Sequence, residues 1–458
     1  MKTFTVIQSF LLAVILVLMP VNSSAQKLLN EKNPPTMAYS TRKIVEGYKG
    51  PALKVRRAID NVETDVFFDS NGCISLKSNV SFSAKMSLAE FAKSANLFVS
   101  VWYDQSGKNI DATQPNIINT RQGKITVDAA GNATVTVPLK NTMFIVDEVP
   151  SATTFVCKTS MQLGTPIVGK GVPVNTFVVA VAKVSTEAPI TYKITLSNEC
   201  TIQVGDQLNA VTGLTKNALL LSQSGDFIGE VAEISGISQF KLTDSQPIVD
   251  AQWGVSRQPR LVKKGVLESL PGGATALRFM NGALGGNSLT VNNFMNDGGK
   301  MNLQDVTNLS IVGTFCKTGN LQNAQALLNT TAPTGPTPGK LQLNLQPGNL
   351  QFLASKTTRS ESLKENTLVS FMAESTDGNA SIVVANSTKK AVQAAGFFEA
   401  TPLKDEQVYL FGHPGNLFRN FEGFVGEFVV FTSTKQAIDN NSTQELLKNQ
   451  NQFFVSGK

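Results

Sequence analysis

Histidine is almost absent: His413 is the single one in 458 residues. That scarcity excludes every metal site that draws two or more ligands from imidazole. A Ser-His-Asp triad would have to use His413, which sits in a Gly/Pro loop, Gly412-His413-Pro414-Gly415, the setting of a surface residue. Charge is also sparse, at 16% of residues, with a mild net charge of +6 to which Lys2 contributes one. No dense Lys/Arg patch is interleaved with aromatics, which argues against nucleic-acid binding and for an ordinary solvated surface. The four cysteines, Cys73, Cys157, Cys200 and Cys316, are widely spaced with no CxxC pattern, so a zinc site is not indicated. Outside the cytoplasm an even count suggests disulfides, and four cysteines leave three pairings open. Beyond the N-terminus no apolar run approaches the roughly 18 residues that a membrane-spanning helix needs. Paired-carboxylate chemistry requires no histidine and survives these filters.

The N-terminus supplies a leader. Lys2 precedes an apolar core over Phe10 to Met19, and Ser23-Ser24-Ala25 offers small residues for cleavage, so residues 1–25 read as a secretory signal peptide. The mature chain is then expected to be secreted, periplasmic or on a bacterial cell surface.

Strand-like runs dominate the rest of the chain. They are short, rich in Val, Ile, Thr and Phe, and bounded by Gly, Asn, Asp and Pro; Phe177 to Val184, Leu341 to Leu345, Leu368 to Ala373 and Phe424 to Phe431 are examples. Helical periodicity is convincing in few places, of which Leu88–Ser94 and Thr443–Phe454 are the best. Such a pattern predicts an all-β protein of more than one domain. Gln114-Pro115-Asn116-Ile117-Ile118 is echoed at Gln258-Pro259-Arg260-Leu261-Val262. Between the copies lies a stretch poor in aromatics that contains two weakly similar units, Met161 to Leu196 and Ile202 to Thr243, each with Gly turns between strands. These glycines suit turns of positive φ and not phosphate cradles, because no helix start comes after them.

Three blocks carry a family resemblance. The first is Ala38-Tyr39-Ser40-Thr41-Arg42 with Gly47-Tyr48-Lys49-Gly50-Pro51 and Leu53-Lys54-Val55-Arg56-Arg57. The second is Trp102-Tyr103-Asp104-Gln105-Ser106-Gly107 with Asp111-Ala112-Thr113-Gln114, and the third is Phe421 to Phe431 with the C-terminal helix after it. Together they resemble the concanavalin A-like sandwich of family 54 α-L-arabinofuranosidases. The resemblance implies a jelly-roll β-sandwich over 26–115 and 256–458, with a second β-rich domain of two weak repeats inserted over 116–255. That division implies the pairings Cys157–Cys200 inside the insert and Cys73–Cys316 outside it.

The implied reaction, retaining glycoside hydrolysis, needs two carboxyl groups about 5–5.5 Å apart. Gln346 stands near the family's nucleophile and His413 in the loop matching its acid/base, so neither slot holds an acid. Asp104 and Glu422 remain as candidate catalytic acids, with Glu422 and Glu427 expected at exposed edge positions. Trp102, Asp104, Gln346 and His413 are the candidate ligand contacts. Trp102 lies on the apolar face of its strand and would stack on a sugar only if it faced a groove, while Asp104 is suited to capping its turn. Arg56 and Arg57 project to opposite faces, and one is expected to pair with Asp60 or Asp65. Asp297-Gly298-Gly299 is the candidate calcium corner, and no other cofactor is implied. The expected function is a secreted, non-catalytic carbohydrate-binding or adhesive module whose partner is a polysaccharide or cell-surface glycan. An arabinofuranosidase-like hydrolase and a purely structural surface or phage-derived protein are the alternatives.

Overall fold

The computed structural model describes residues 29, 34–114, 116–162, 164–185, 187–280, 289–291, 300–301, 308–318, 325–331, 338–346, 348–354, 356–360, 363–364, 366–376, 379–385, 391–394, 406–412, 420–433 and 440–456. The expected leader, His413 and Asp297 lie outside the described residues. The described chain is nearly all antiparallel β-structure, with a β-sandwich as its largest body.

One layer of the sandwich runs through Met37–Ser40, Gly423–Ser433, Asn308–Lys317, Leu368–Thr376, Asn379–Val384 and Ala391–Ala394. The other starts at Glu63–Val66 and passes through Leu53–Arg57, Leu97–Trp102, Ala112–Thr113, Leu289–Val291, Glu406–Leu410, Gln325–Thr331 and Pro338–Gln346. Leu277–Phe279 joins the layers, because it pairs with both Arg260–Lys263 and Gly423–Ser433. Alternate residues from the two layers, among them Val55, Leu97, Val99, Ile311, Phe315, Phe371 and Phe428, fill one apolar core.

Asn308–Lys317 is buried at every position. Its second face is covered by the C-terminal helix Asn440–Ser456. Thr443, Leu446, Leu447, Gln450 and Phe454 are the helix's buried residues, and their spacing of three and four draws one stripe along it.

No described strand within 118–256 pairs with a strand outside it. Ile118–Val127, Asn132–Val135, Leu219–Ser222, Phe227–Ile234, Gln239–Thr243 and Ile248–Ser256 close a six-stranded barrel around Trp253 and Phe240. A lobe of two small sheets over 141–211 is threaded between barrel strands and has its own core around Phe144 and Phe155, whose rings stack at 5.3 Å. Of the two similar units, Met161–Leu196 lies wholly in this lobe, whereas Ile202–Thr243 runs from the lobe into the barrel.

The barrel docks on the sandwich through Leu219, Leu221 and Phe227 against Ala58, Phe98 and Met280. Arg56 is buried at this seam, its Nε donating to Gln258 Oε1 (2.9 Å) and its guanidinium to the Gly225 carbonyl (3.1 Å). Gly225 is needed there: its φ is +94°, and a Cβ would stand 2.6 Å from Asn61 Oδ1. Arg57 takes the other face and pairs with Asp60 at 2.7 Å.

Candidate functional site

The turn after Leu97–Trp102 is built around Asp104. Its Oδ1 accepts from the Ala38 and Ser106 backbone N–H groups (2.8 and 2.9 Å), and its Oδ2 from the Ile110 N–H (3.2 Å) and the Ser106 hydroxyl. Asp111 in turn accepts from the Asp104 N–H at 2.9 Å. Asp104 is buried, and its oxygens are committed to the turn. Gln105, also buried, accepts from the Ile44 N–H (3.0 Å) and donates to the Arg42 carbonyl (2.9 Å). Ser106 Oγ, whose proton goes to Asp104, lies 3.3 Å from the Thr36 carbonyl. The turn therefore fixes segment 36–44 across its back, and Gly107, at φ +82°, closes it.

This stitching opens a groove of about 740 Å³ between the turn and residues 34–49. Pro34, Pro35, Val45 and the Tyr48 ring give it an apolar lining, with Glu46 and Lys49 as its charged groups. Tyr48 is fixed by its hydroxyl donating to the Pro51 carbonyl at 2.7 Å and by the edge of Phe68, with ring centroids 6.4 Å apart. Burial, followed by the charges of Asp111 and Asp104, pushes the Tyr48 phenol well above its ordinary range, so it stays a neutral donor. Burial likewise raises the Asp111 carboxyl, against the pull of the Asp104 N–H. Among the described residues Glu46 is the only carboxylate lining the groove, and no cluster of three His, Cys, Asp or Glu side chains is arranged to hold a metal.

The structure corrects several expectations. Trp102 is fully buried between Tyr39 (5.8 Å) and Phe411 (6.3 Å) and faces the core, so it is no platform for a sugar. Gln346 does not line the groove; its Nε2 donates to Gln351 Oε1 at 2.7 Å across a hairpin. Glu427 is not at an exposed edge but fully buried, ion-paired with Arg42 at 2.8 Å. Glu422 is also largely covered: it accepts from Asn217 Nδ2 at 2.9 Å and lies 3.8 Å from Arg278. Burial raises its carboxyl above the usual range, only partly offset by the Arg278 charge. Glu422 belongs to the seam where the barrel meets the sandwich, beside Glu230, which bonds Arg260 (3.4 Å) and Lys263 (3.2 Å).

All four cysteines are free thiols, so neither Cys157–Cys200 nor Cys73–Cys316 is bonded. Cys157 and Cys200 share the lobe core, but each thiol turns to a carbonyl two residues away, that of Thr159 (3.3 Å) and of Asn198 (3.4 Å). Cys316 is buried under the C-terminal helix, and Cys73 lies in a loop where its N–H donates to Asp69 Oδ1 at 3.1 Å.

Neither Tyr48, which the sequence offered only within a resemblance block, nor the paired prolines are among the expected ligand contacts. Their signal was present, since Gly47-Tyr48-Lys49-Gly50-Pro51 is an aromatic held between turn residues.

No family model and no curated protein matches the chain. Among solved structures it is similar to a GH54 α-L-arabinofuranosidase soaked with a cyclic sulfate inhibitor, at 10% identity and a TM-score of 0.41. That match covers 93% of this chain and 63% of the arabinofuranosidase, so the chain spans less than two thirds of that protein's length. It is also similar to the Ruminococcus gnavus IT-sialidase CBM40 bound to α2,3-sialyllactose, at 15% identity and a TM-score of 0.25 over 31% of this chain and 84% of that one.

Proposed function

We propose that this protein is a secreted, non-catalytic glycan-binding module of the bacterial cell surface, and that the groove beside Tyr48 is its binding site. The observation that carries the reading is the groove itself. Its volume of about 740 Å³ lies in the usual range for ligand sites. A fixed aromatic ring and two proline rings offer C–H-complementary surface, and Glu46 and Lys49 offer hydrogen-bonding groups at its rim. Among the described residues the groove is lined by one carboxylate, half of the pair that retaining hydrolysis needs.

Binding of the purified protein to a polysaccharide panel, followed by calorimetry, tests this. Tyr48→Ala should lower affinity at least tenfold for any glycan that the wild type binds. Unchanged affinity would remove the groove from the proposal.

A hydrolytic reading is favoured by one observation, the raised carboxyl of Glu422 beside Glu230. It predicts turnover of aryl arabinofuranosides that Glu422→Gln abolishes, and failure to see turnover would end it.

A further inference from the structure

Met143, Ile145, Val174, Val184, Ile190 and Val204 are more than half of the large apolar side chains exposed among the described residues, and all lie in the lobe. Three of them gather on one strand and on the turn that leads into its neighbour. Asn141–Ile145 pairs with Gln207–Val211 on one side and with no described strand on the other. Met143 and Ile145, 61% and 52% exposed, lie on its outer face, and Val204 is in the turn beyond its end.

The hydrogen-bond pattern shows which backbone groups are spare. The Lys140 carbonyl accepts from Thr212 N–H and the Val146 carbonyl from Gly205 N–H, while Thr142 and Phe144 lie opposite Ala210 and Leu208. The even-numbered residues thus face the neighbouring strand. Alternation turns the N–H and C=O groups of Asn141, Met143 and Ile145 the other way. The strand carries none of the usual edge protection, neither proline nor charge.

We propose that this edge is a self-association site, at which two copies of the chain pair Asn141–Ile145 antiparallel about a two-fold axis at Met143. Met143 then faces Met143 of the second copy, and Asn141 faces its Ile145. The spare groups at these positions complete hydrogen bonds in both directions, and the sheet continues through both lobes.

Charge selects this orientation. Lys140 and Glu148, both exposed, flank the strand at opposite ends. Antiparallel self-pairing brings the Lys140 end of one copy to the end of the other at which Glu148 opens the next strand, Glu148–Ser151, so unlike charges meet at both ends of the paired edge. Parallel pairing would oppose lysine to lysine. A strand of this length makes a small interface, so the dimer is a weak, concentration-dependent one. Two grooves per dimer would gain avidity on a repeating glycan; that consequence rests on the proposed function, whereas the dimer itself does not.

Sedimentation equilibrium of the mature chain between about 1 and about 300 μM covers the affinities expected of an interface of this class. A reversible dimer is expected. Met143→Lys, which opposes like charges at the axis, should raise its Kd at least tenfold, and Lys140→Glu should weaken it. Lys140→Glu combined with Glu148→Lys should restore it, while Val249→Lys on the exposed barrel surface should leave it unchanged. Circular dichroism checks that each variant is folded. A monomer throughout the range, a dimer indifferent to Met143→Lys, or a charge swap without rescue would each overturn the proposal, and the last would assign the edge to a different pairing.

Discussion

Glu427→Ala should be among the most damaging single changes in the sandwich. Glu427 and Arg42 are 0% and 1% exposed and meet at 2.8 Å. The carboxylate also accepts from Ser40 Oγ (2.7 Å) and Gln450 Nε2 (2.8 Å). Arg42 continues to Asn449 Oδ1 (2.6 Å), and its guanidinium lies 4.4 Å from the centre of the Phe453 ring. The pair therefore ties the first strand, the last strand and the C-terminal helix at one buried point. Truncating Glu427 leaves an arginine charge enclosed without its counterion, which costs about 3–5 kcal/mol. Lys124–Asp250 is the contrast: its partners are 45% and 54% exposed, so Asp250→Ala should cost less than about 1 kcal/mol. The two tryptophans make the measurement clean, because Trp102 is in the sandwich core and Trp253 in the barrel core. In a Trp253→Phe background, urea unfolding followed by Trp102 emission reads the sandwich alone. The double variant Arg42→Met, Glu427→Met should recover much of the loss, since no unpaired charge remains. A loss below about 1 kcal/mol for Glu427→Ala would refute the reasoning, because it would place the pair with solvent-screened bridges.

Asp104→Ala strands the N–H groups of Ala38, Ser106 and Ile110 and should destabilise the sandwich by about 2–4 kcal/mol in the same assay, with groove affinity lost alongside. Glu422 gives a pH signature: burial raises its folded carboxyl above the unfolded value, so the folded state holds the proton longer and stability falls as pH rises from the unfolded value through the raised one. Glu422→Gln should remove that fall, leaving urea midpoints of variant and wild type alike near pH 4 and the variant the more stable at pH 7. Burial pushes the thiols of Cys73, Cys157 and Cys316 up to about 11, so iodoacetamide at pH 8 should label the native chain slowly and modify all four cysteines once it is unfolded.

Local patterns made much of the fold readable. Leu97–Trp102 reads as a strand from its apolar alternation, and Asp-Gln-Ser-Gly after it reads as a turn because an aspartate can accept the N–H groups that a turn leaves free. Asp104 does this in the structure. The C-terminal helix reads from Leu446, Leu447 and Phe454 at helical spacing. What was not readable depends on partners far away in the chain. A glutamate within Phe-Glu-Gly or Gly-Glu-Phe is by default exposed, since isolated charges are rarely buried. Nothing near Glu427 in sequence announces Arg42, 385 positions earlier, and nothing near Glu422 announces Asn217.

The groove shows the same division between local and distant information, with a consequence for how it arises. The Tyr48 ring is set by its neighbours, through Pro51 and through Gly50, where a Cβ would stand 2.6 Å from the phenol oxygen. Most of that part is encoded in five consecutive residues, and the edge of Phe68 completes it. The groove's other wall is the turn at Gln105–Gly107, which is held to segment 34–49 by the side chains of Asp104 and Gln105, reaching Ala38, Arg42 and Ile44, and by the Gln105 N–H donating to the Ala38 carbonyl. Those two buried polar side chains define the cavity without lining it through an ionised group, since Asp104 stands behind it with its oxygens already occupied. A carboxylate held by several hydrogen bonds cannot also serve as nucleophile without dismantling the wall that it supports. The most suggestive acid of this segment is therefore the one least free to do chemistry, and the charged and aromatic groups that line the groove are Glu46, Tyr48 and Lys49.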